Sequence, residues 1–328
     1  MIPHFSPRNG GLLFPPGCRI LDGRKTYRGR GARRSPAREK ELMCVKFWKM
    51  NGAGNDFVIV DNRRLGLPDE AWPEIARTLC ERHLSIGADG LMVVDVSDRA
   101  DYRMRYYNAD GSLGEMCGNG ARCICRYGYE NGLAGEVQVV ETTAGLVTGW
   151  RLDPRNYRIR LNDPSVIRLD AAADIGGTVY AAPYVELGDP GLPHVAVEVP
   201  GLADCDRQAL RELGRRLRYY AGYPKGANVN FYEVIGPDHV RELTYERGVE
   251  DFTYACGTGT GSVVTVLTLL GRVSGRNVRV DMPGGQLTVD VVRDGVRVAD
   301  LYLTGPTNIV CRGEATDEDC RFCAAERN

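Results

Sequence analysis

A cysteine followed by Gly-x-Gly stands twice in this chain, as Cys117-Gly118-Asn119-Gly120 and as Cys256-Gly257-Thr258-Gly259. The segment before each reads as a strand and the segment after each as a helix. Recurrence of one supersecondary unit at so wide a spacing points to a duplicated α/β unit, with the two motifs about a pseudo-twofold axis. A length of 328 residues agrees, because that exceeds what one hydrophobic core ordinarily organises. Two halves with a cleft between them are therefore expected.

The regions between the motifs fill out this plan. VKFWKM and DFVIVDN are short apolar runs separated by the turn NGAGND, and GLMVVDVS and DYRMRYYNADGS follow as further strands. Residues 69–83 place Trp72, Ile75, Ala76, Leu79 and Cys80 at helical spacing behind an acidic start, which predicts a helix. Residues 136–187 read as short strands broken by DPRN, NDPS and GG. Residues 206–219 predict a second amphipathic helix with Leu210, Leu213 and Leu217 on one face. The expected divisions are a first domain over 44–162, completed by strands near 300–311, and a second over 163–299. The tail 312–328 is charged and is expected to be loose. Residues 1–43 mix Pro, Gly and Arg without a period, and read as a disordered basic arm or as an over-extended start upstream of Met43.

Composition removes several functional classes. Formal net charge is −1, with arginine concentrated in the first 42 residues. The remainder has no basic stripe with which to hold a phosphate backbone, so no nucleic-acid partner is expected. No run of eighteen apolar residues and no signal-peptide pattern occurs, so no membrane association is expected and the protein is read as cytoplasmic. Eleven cysteines, an odd number without an export signal, are read as reduced thiols. Cys80, Cys123, Cys125 and Cys205 are read as small buried hydrophobes. Cys311 with Cys320-x-x-Cys323 lacks a fourth ligand nearby, so no metal is expected.

Cys117 and Cys256 call for a chemical reading. A thiol just ahead of a helix faces free N–H groups and the positive end of the dipole, which is expected to lower its pKa below about 8.5. The glycines that follow let a ligand approach the backbone, and their N–H groups can cradle a carboxylate. Two such thiols on opposite faces of one carbon can exchange its proton, one as thiolate base and one as thiol acid. No pyridoxal, flavin or metal motif is present to delocalise charge, so no cofactor is expected and the helix starts become the electrostatic source. GTGTGS suggests a nucleotide-binding module, but no P-loop lysine and no Rossmann acid accompany it. A thiol-disulfide oxidoreductase is disfavoured because Cys123-x-Cys125 has the wrong spacing.

Five blocks, KMNGAGNDFVIVDN, GADGLMVV, YYNADGSLGEMCGNGARC, ANVNF and YERGVEDFTYACGTGTG, occur in order between about residues 44 and 311. Together they resemble the signature blocks of the diaminopimelate epimerase family. The resemblance implies an α/β (α+β) fold of two pseudo-symmetric domains, each a curved mixed β-sheet or barrel around a central helix, with the active site in the cleft between them. It implies cofactor-independent epimerisation of LL-2,6-diaminopimelate to the meso form, in lysine and peptidoglycan precursor biosynthesis, by a homodimer. Cys117 and Cys256 match the family's proton-transfer thiols. Asn55, Asn108 and Asn228 match its substrate-holding asparagines, and Gly118, Asn119, Gly257 and Thr258 its backbone donors. Glu246 and Arg247 match a pair that grips the charged distal end or the reacting amino acid, with Glu246 also a neighbour of the thiols. The family's Gly-Asn-Pro-His reads here as GDPGLPH, which places Asp189 at the asparagine and makes His194 a partner for Cys117. Gly90 stands where some members carry glutamine. A racemase of another amino acid, such as histidine, is the alternative on this scaffold.

Overall fold

The alternating run CVKFWKMNG forms β1 (Cys44–Gly52) and turns at Ala53-Gly54 into β2 (Asn55–Asp61). Glycine is required at the second turn position: Gly54 has φ +94°, and a Cβ there would run into Tyr254 from the other end of the chain. The computed structural model describes residues 44–114, 117–295, 297–316 and 318. The basic arm expected over 1–43, and Cys320 and Cys323 of the tail, lie outside the described residues.

After the short helix α1 (Asn62–Leu65) and a 3-10 turn at Asp69–Ala71, α2 (Trp72–Cys80) buries Trp72, Ile75, Ala76, Leu79 and Cys80 against Val58, Val60, Leu91 and Val93. It ends three residues before the predicted His83. The Gly87 and Ala88 N–H groups take the Leu79 and Cys80 carbonyls and turn the chain into β3 (Gly90–Asp95). Then follow β4 (Tyr102–Asn108), α3 (Gly118–Glu130), β5 (Val137–Thr142), β6 (Gly145–Arg151) and β7 (Asn156–Arg160). Strands β1, β2, β6 and β7 close around α3.

The second copy follows β8 (Pro164–Arg168) and a small hairpin, β9 (Ala172–Asp174) and β10 (Val179–Ala181). It comprises β11 (Tyr184–Leu187), β12 (Leu192–Glu198), α4 (Arg207–Arg218), β13 (Asn228–Gly236), β14 (His239–Glu246) and β15 (Asp251–Phe252). Beyond them come α5 (Gly257–Leu269), β16 (Val278–Met282) and β17 (Gly285–Asp294), with α5 packed against β11, β12, β13 and β17. The duplication is explicit in the pairing. From β2 through β3, β4, β5 and β6 the neighbours run parallel, antiparallel, parallel, antiparallel. The same succession runs from β12 through β13, β14, β16 and β17. In each copy the first parallel step is crossed by an outer helix, α2 or α4, and the second by the helix that follows the cysteine.

Two last strands return to the first copy. β18 (Arg297–Pro306) pairs with both β17 and β7, and β19 (Asn308–Thr316) pairs with β1. Residues 312–316, expected to be loose, are thus the second half of β19, in register with Cys44–Trp48. Their charge concealed a strand: Arg312 lies 3.8 Å over the Trp48 ring, Lys46 pairs with Glu314 at 3.7 Å, and Gly313 leaves room for Phe47.

Candidate active site

Each cysteine has extended backbone geometry, with φ −109° and ψ 112° at Cys117 and φ −123° and ψ 101° at Cys256. The next residue is already helical, so each cysteine is the residue ahead of the first free N–H groups. The two helix starts abut. A Cβ on Gly257 would stand 3.5 Å from the Gly118 Cα and 3.5 Å from Asn119 Oδ1, with Leu303 packed over both glycines. A Cβ on Gly257 would also come 2.8 Å from a Leu303 methyl, so a side chain there would have to push Leu303 aside.

A cleft of about 810 Å³ opens here, and both cysteines line it. The structure also brings to it Asn55, Asn108, Gly118, Asn119, Asn228, Glu246, Arg247, Gly257 and Thr258. The three asparagines Asn55, Asn108 and Asn228 are fixed by side-chain hydrogen bonds. Asn55 donates to Asp89 Oδ2 at 3.2 Å and accepts from Asn119 Nδ2 at 2.5 Å. Asn108 donates to Ser112 Oγ at 2.9 Å. Asn228 accepts from the Arg247 backbone N–H at 2.8 Å and donates to the Pro193 carbonyl at 3.3 Å.

Electrostatics at the thiols run against the expected lowering. Burial pushes Cys117 up to about 11, and the Glu246 carboxylate adds to this, while the Gly120 and Asn119 N–H groups and Arg122 pull it back. Burial pushes Cys256 well above the usual range, aided by Glu246 and Glu242 and opposed by Thr258 and the Gly259 N–H. Neither sulfur closes a capping hydrogen bond to its own helix start; the Thr258 hydroxyl lies 3.6 Å from the Cys256 sulfur. Removing water from a thiolate costs more than a few N–H dipoles return, so burial holds both groups as thiols. Glu246 is itself raised by burial.

His194 and Asp189 are placed differently from the other predicted residues. His194 is 1% exposed on β12, beside Asn228, and burial lowers its pKa to about 3, so the ring is neutral. Its Nδ1 lies 3.4 Å from the Asn230 amide nitrogen, which places the ring proton on Nε2. Nε2 has no hydrogen-bond partner, so the expected pairing with Cys117 is not made in this structure. Asn230, in turn, packs against Gly259 next to Cys256. Asp189 lines a neighbouring cavity of about 270 Å³ with Thr143, Asn162 and Pro190. Leu192 reaches the main cleft instead, and it also lines the smaller cavity. Leu192 directly precedes Pro193-His194, and that adjacency is the signal the reading of GDPG passed over. Tyr106 was missed too. Its ring fills the space over Gly90 and Gly114, where a Cβ on either would overlap it, and it lines the cleft.

Comparison with known proteins bears on this arrangement. The diaminopimelate epimerase family model matches residues 47–161 and 188–310. A diaminopimelate epimerase from Archaeoglobus fulgidus is 38% identical over 300 residues, covering 85% of this chain and 99% of that protein. One from Aquifex aeolicus is 34% identical over 288 residues, covering 84% and 99%. Among solved structures, a hydroxyproline epimerase from Agrobacterium vitis shares the fold with a TM-score of 0.63 at 19% identity, over 84% of this chain and 92% of that one. A Bacillus anthracis protein of the phenazine biosynthesis PhzF family does so with a TM-score of 0.63 at 16% identity, over 83% and 99%. The α/β fold is therefore shared with these two solved structures at low identity, while sequence similarity spans both cysteine motifs and nearly the whole length of the nearer relatives. The chain belongs to the diaminopimelate epimerase family.

Proposed function

We propose that the protein converts LL-2,6-diaminopimelate to meso-diaminopimelate, without a cofactor, by passing one α-proton between Cys117 and Cys256. One observation carries the reading: two thiols from the two copies of a repeated unit line one cleft, each at the start of a helix. One sulfur, as thiolate, takes the α-proton, and the other, as thiol, delivers its own proton to the opposite face. The sulfurs exchange protonation states, and the reverse reaction restores them. The N–H groups at Gly118, Asn119, Gly257 and Thr258 take the α-carboxylate and the charge that develops beside it. Glu246, which acts on both thiols, takes the substrate ammonium, and this pairing withdraws the carboxylate's push on their pKa values. Neutral His194 serves as a nearby donor. Arg247, Asn55, Asn108 and Asn228 hold the polar groups of the substrate, and Asp189 guards the adjoining cavity.

The reading extends to residues 44–162 with 300–311, and 163–299, as two halves that each bring one thiol. It takes the enzyme to be a cytoplasmic homodimer acting on a small molecule in lysine and peptidoglycan precursor biosynthesis, with neither nucleic acid nor membrane as partner. Among the described residues no helix is long and apolar enough to cross a membrane.

The test is incubation with LL-diaminopimelate, meso-diaminopimelate, L-lysine and L-histidine in deuterium oxide, followed by chiral chromatography and mass spectrometry. Diaminopimelate alone should epimerise, with one solvent deuteron in the product. Cys117→Ala and Cys256→Ala should each lower the rate at least about a hundredfold, because general acid or base catalysis contributes about 10²–10⁴. Epimerisation in either variant within about tenfold of the parent rate, or histidine racemising faster than diaminopimelate, would overturn the proposal.

A further inference from the structure

The mechanism above leaves the buried charge of Arg122 unused. Arg122 lies on α3, in the turn beyond Cys117, and its side chain is fully buried. Two glycines make room for it: a Cβ on Gly52 of β1 would come 3.6 Å from Nη2, and one on Gly305 of β18 would come 3.2 Å from Nε. Among the described residues no carboxylate faces the guanidinium. Nη1 donates to the Gly118 carbonyl at 3.3 Å, Nη2 donates to Asn119 Oδ1 at 2.8 Å, and Nε has no partner. Burial alone drives its pKa down, to about 10. A buried cation without a counter-charge is strongly disfavoured, so its place beneath a ligand cleft calls for an explanation.

Its bonds orient the cleft floor. A guanidinium can only donate, so Asn119 must turn its Oδ1 inward and its amide nitrogen outward. That nitrogen donates to Asn55 Oδ1 at 2.5 Å and to the Ala255 carbonyl, just ahead of Cys256, at 3.3 Å. Asn55 must then turn its own nitrogen away, toward Asp89 Oδ2 at 3.2 Å. A relay thus runs from a cation through two amides to a carboxylate, and the charges at its ends set both amide orientations. A side branch ties the first helix start to the second.

We propose that Arg122 is a positioning residue for the proton transfer: through Asn119 it orients Asn55 and clamps the two helix starts together, and its charge is matched when a substrate carboxylate occupies those starts. This rests on the amino-acid epimerase reading of the site. The groups acting on Cys117 are Glu246 from β14, Tyr106 from β4, and Arg122 and Cys123 from α3. Removing the cation therefore lowers the thiolate population of Cys117.

Two variants test this. Arg122→Gln removes the charge. Asn119→Asp keeps a partner for Arg122, forms an ion pair that cancels its charge, and abolishes the donor to Asn55. Each should lower kcat/KM for LL-diaminopimelate at least about thirtyfold, with the larger share in KM. Each should also slow iodoacetamide alkylation of Cys117, followed by peptide mass spectrometry without substrate, at least about threefold. If Arg122→Gln does not fold, Asn119→Asp decides, since its ion pair preserves the packing. A folded variant with kcat/KM within threefold of the parent, or with an unchanged Cys117 alkylation rate, would overturn the proposal. Should the parent protein epimerise no amino acid, the epimerase reading fails by itself, and the alkylation comparison still decides the role of Arg122.

Discussion

Two side chains define this site, and their chemistry is set by opposing local forces. The helix starts were expected to make Cys117 and Cys256 ready thiolates, yet burial dominates and both are held as thiols. Free thiols titrate near 8.5, so at pH 7.5 the ligand-free protein should react with iodoacetamide at Cys117 at least about tenfold more slowly than a free cysteine does. Equal rates, measured by peptide mass spectrometry, would contradict this account of burial. Gly90 makes a separate prediction. The Tyr106 ring occupies the space a side chain would need, so Gly90→Ala should cost about 1–3 kcal/mol in urea unfolding. The identity of the two thiols was legible in the sequence because their flanking glycines repeat. Tyr106 and Arg122 were not, because each fills space left by glycines from other segments: Gly90 and Gly114 for Tyr106, Gly52 and Gly305 for Arg122.

At the level of elements, helices α3 and α5 act as paired electrostatic fixtures whose placement depends on the strands around them. The outer helices α2 and α4 were readable from apolar spacing. Helix α5 is buried along nearly its whole length and is set by its apolar content and by the glycines at its start. β12 and β13 run parallel with His194 opposite Asn228, so a neutral histidine is sealed inside the second copy. Its folded pKa of about 3 lies below its unfolded value of 6.5, so the unfolded chain binds the extra proton first. Stability is therefore complete above pH 6.5 and declines as pH falls toward 3. The contribution is on the order of 5 kcal/mol at about 1.4 kcal/mol per pKa unit. Unfolding free energies measured from pH 7 to 4 should fall less steeply in His194→Asn than in the parent. Parallel slopes would show that the histidine is not sealed.

On the scale of the whole molecule, the chain's end completes its beginning. β18 joins β17 of the second copy to β7 of the first, and β19 covers β1. One apolar cluster accordingly contains Ile59 and Tyr157 from the first copy, Val264 from the second and Leu301 from β18. Deleting residues 308–328 should leave β1 with an unpaired edge and abolish the cooperative thermal transition followed by circular dichroism. A truncated chain that melts cooperatively within a few degrees of the parent would show β19 to be dispensable.

What the sequence determined by itself was local and repetitive: the outer helices, the strand–cysteine–helix unit, its duplication, and hence a pair of thiols at helix starts. These follow from periodicity and glycine placement, which act over a few residues. Tertiary structure decided which groups meet. It put Leu192 rather than Asp189 in the cleft, enclosed His194, returned β19 to β1, and raised both thiol pKa values. Each of these outcomes depends on the exclusion of water by segments far apart in the chain, and desolvation is a property of the assembled fold.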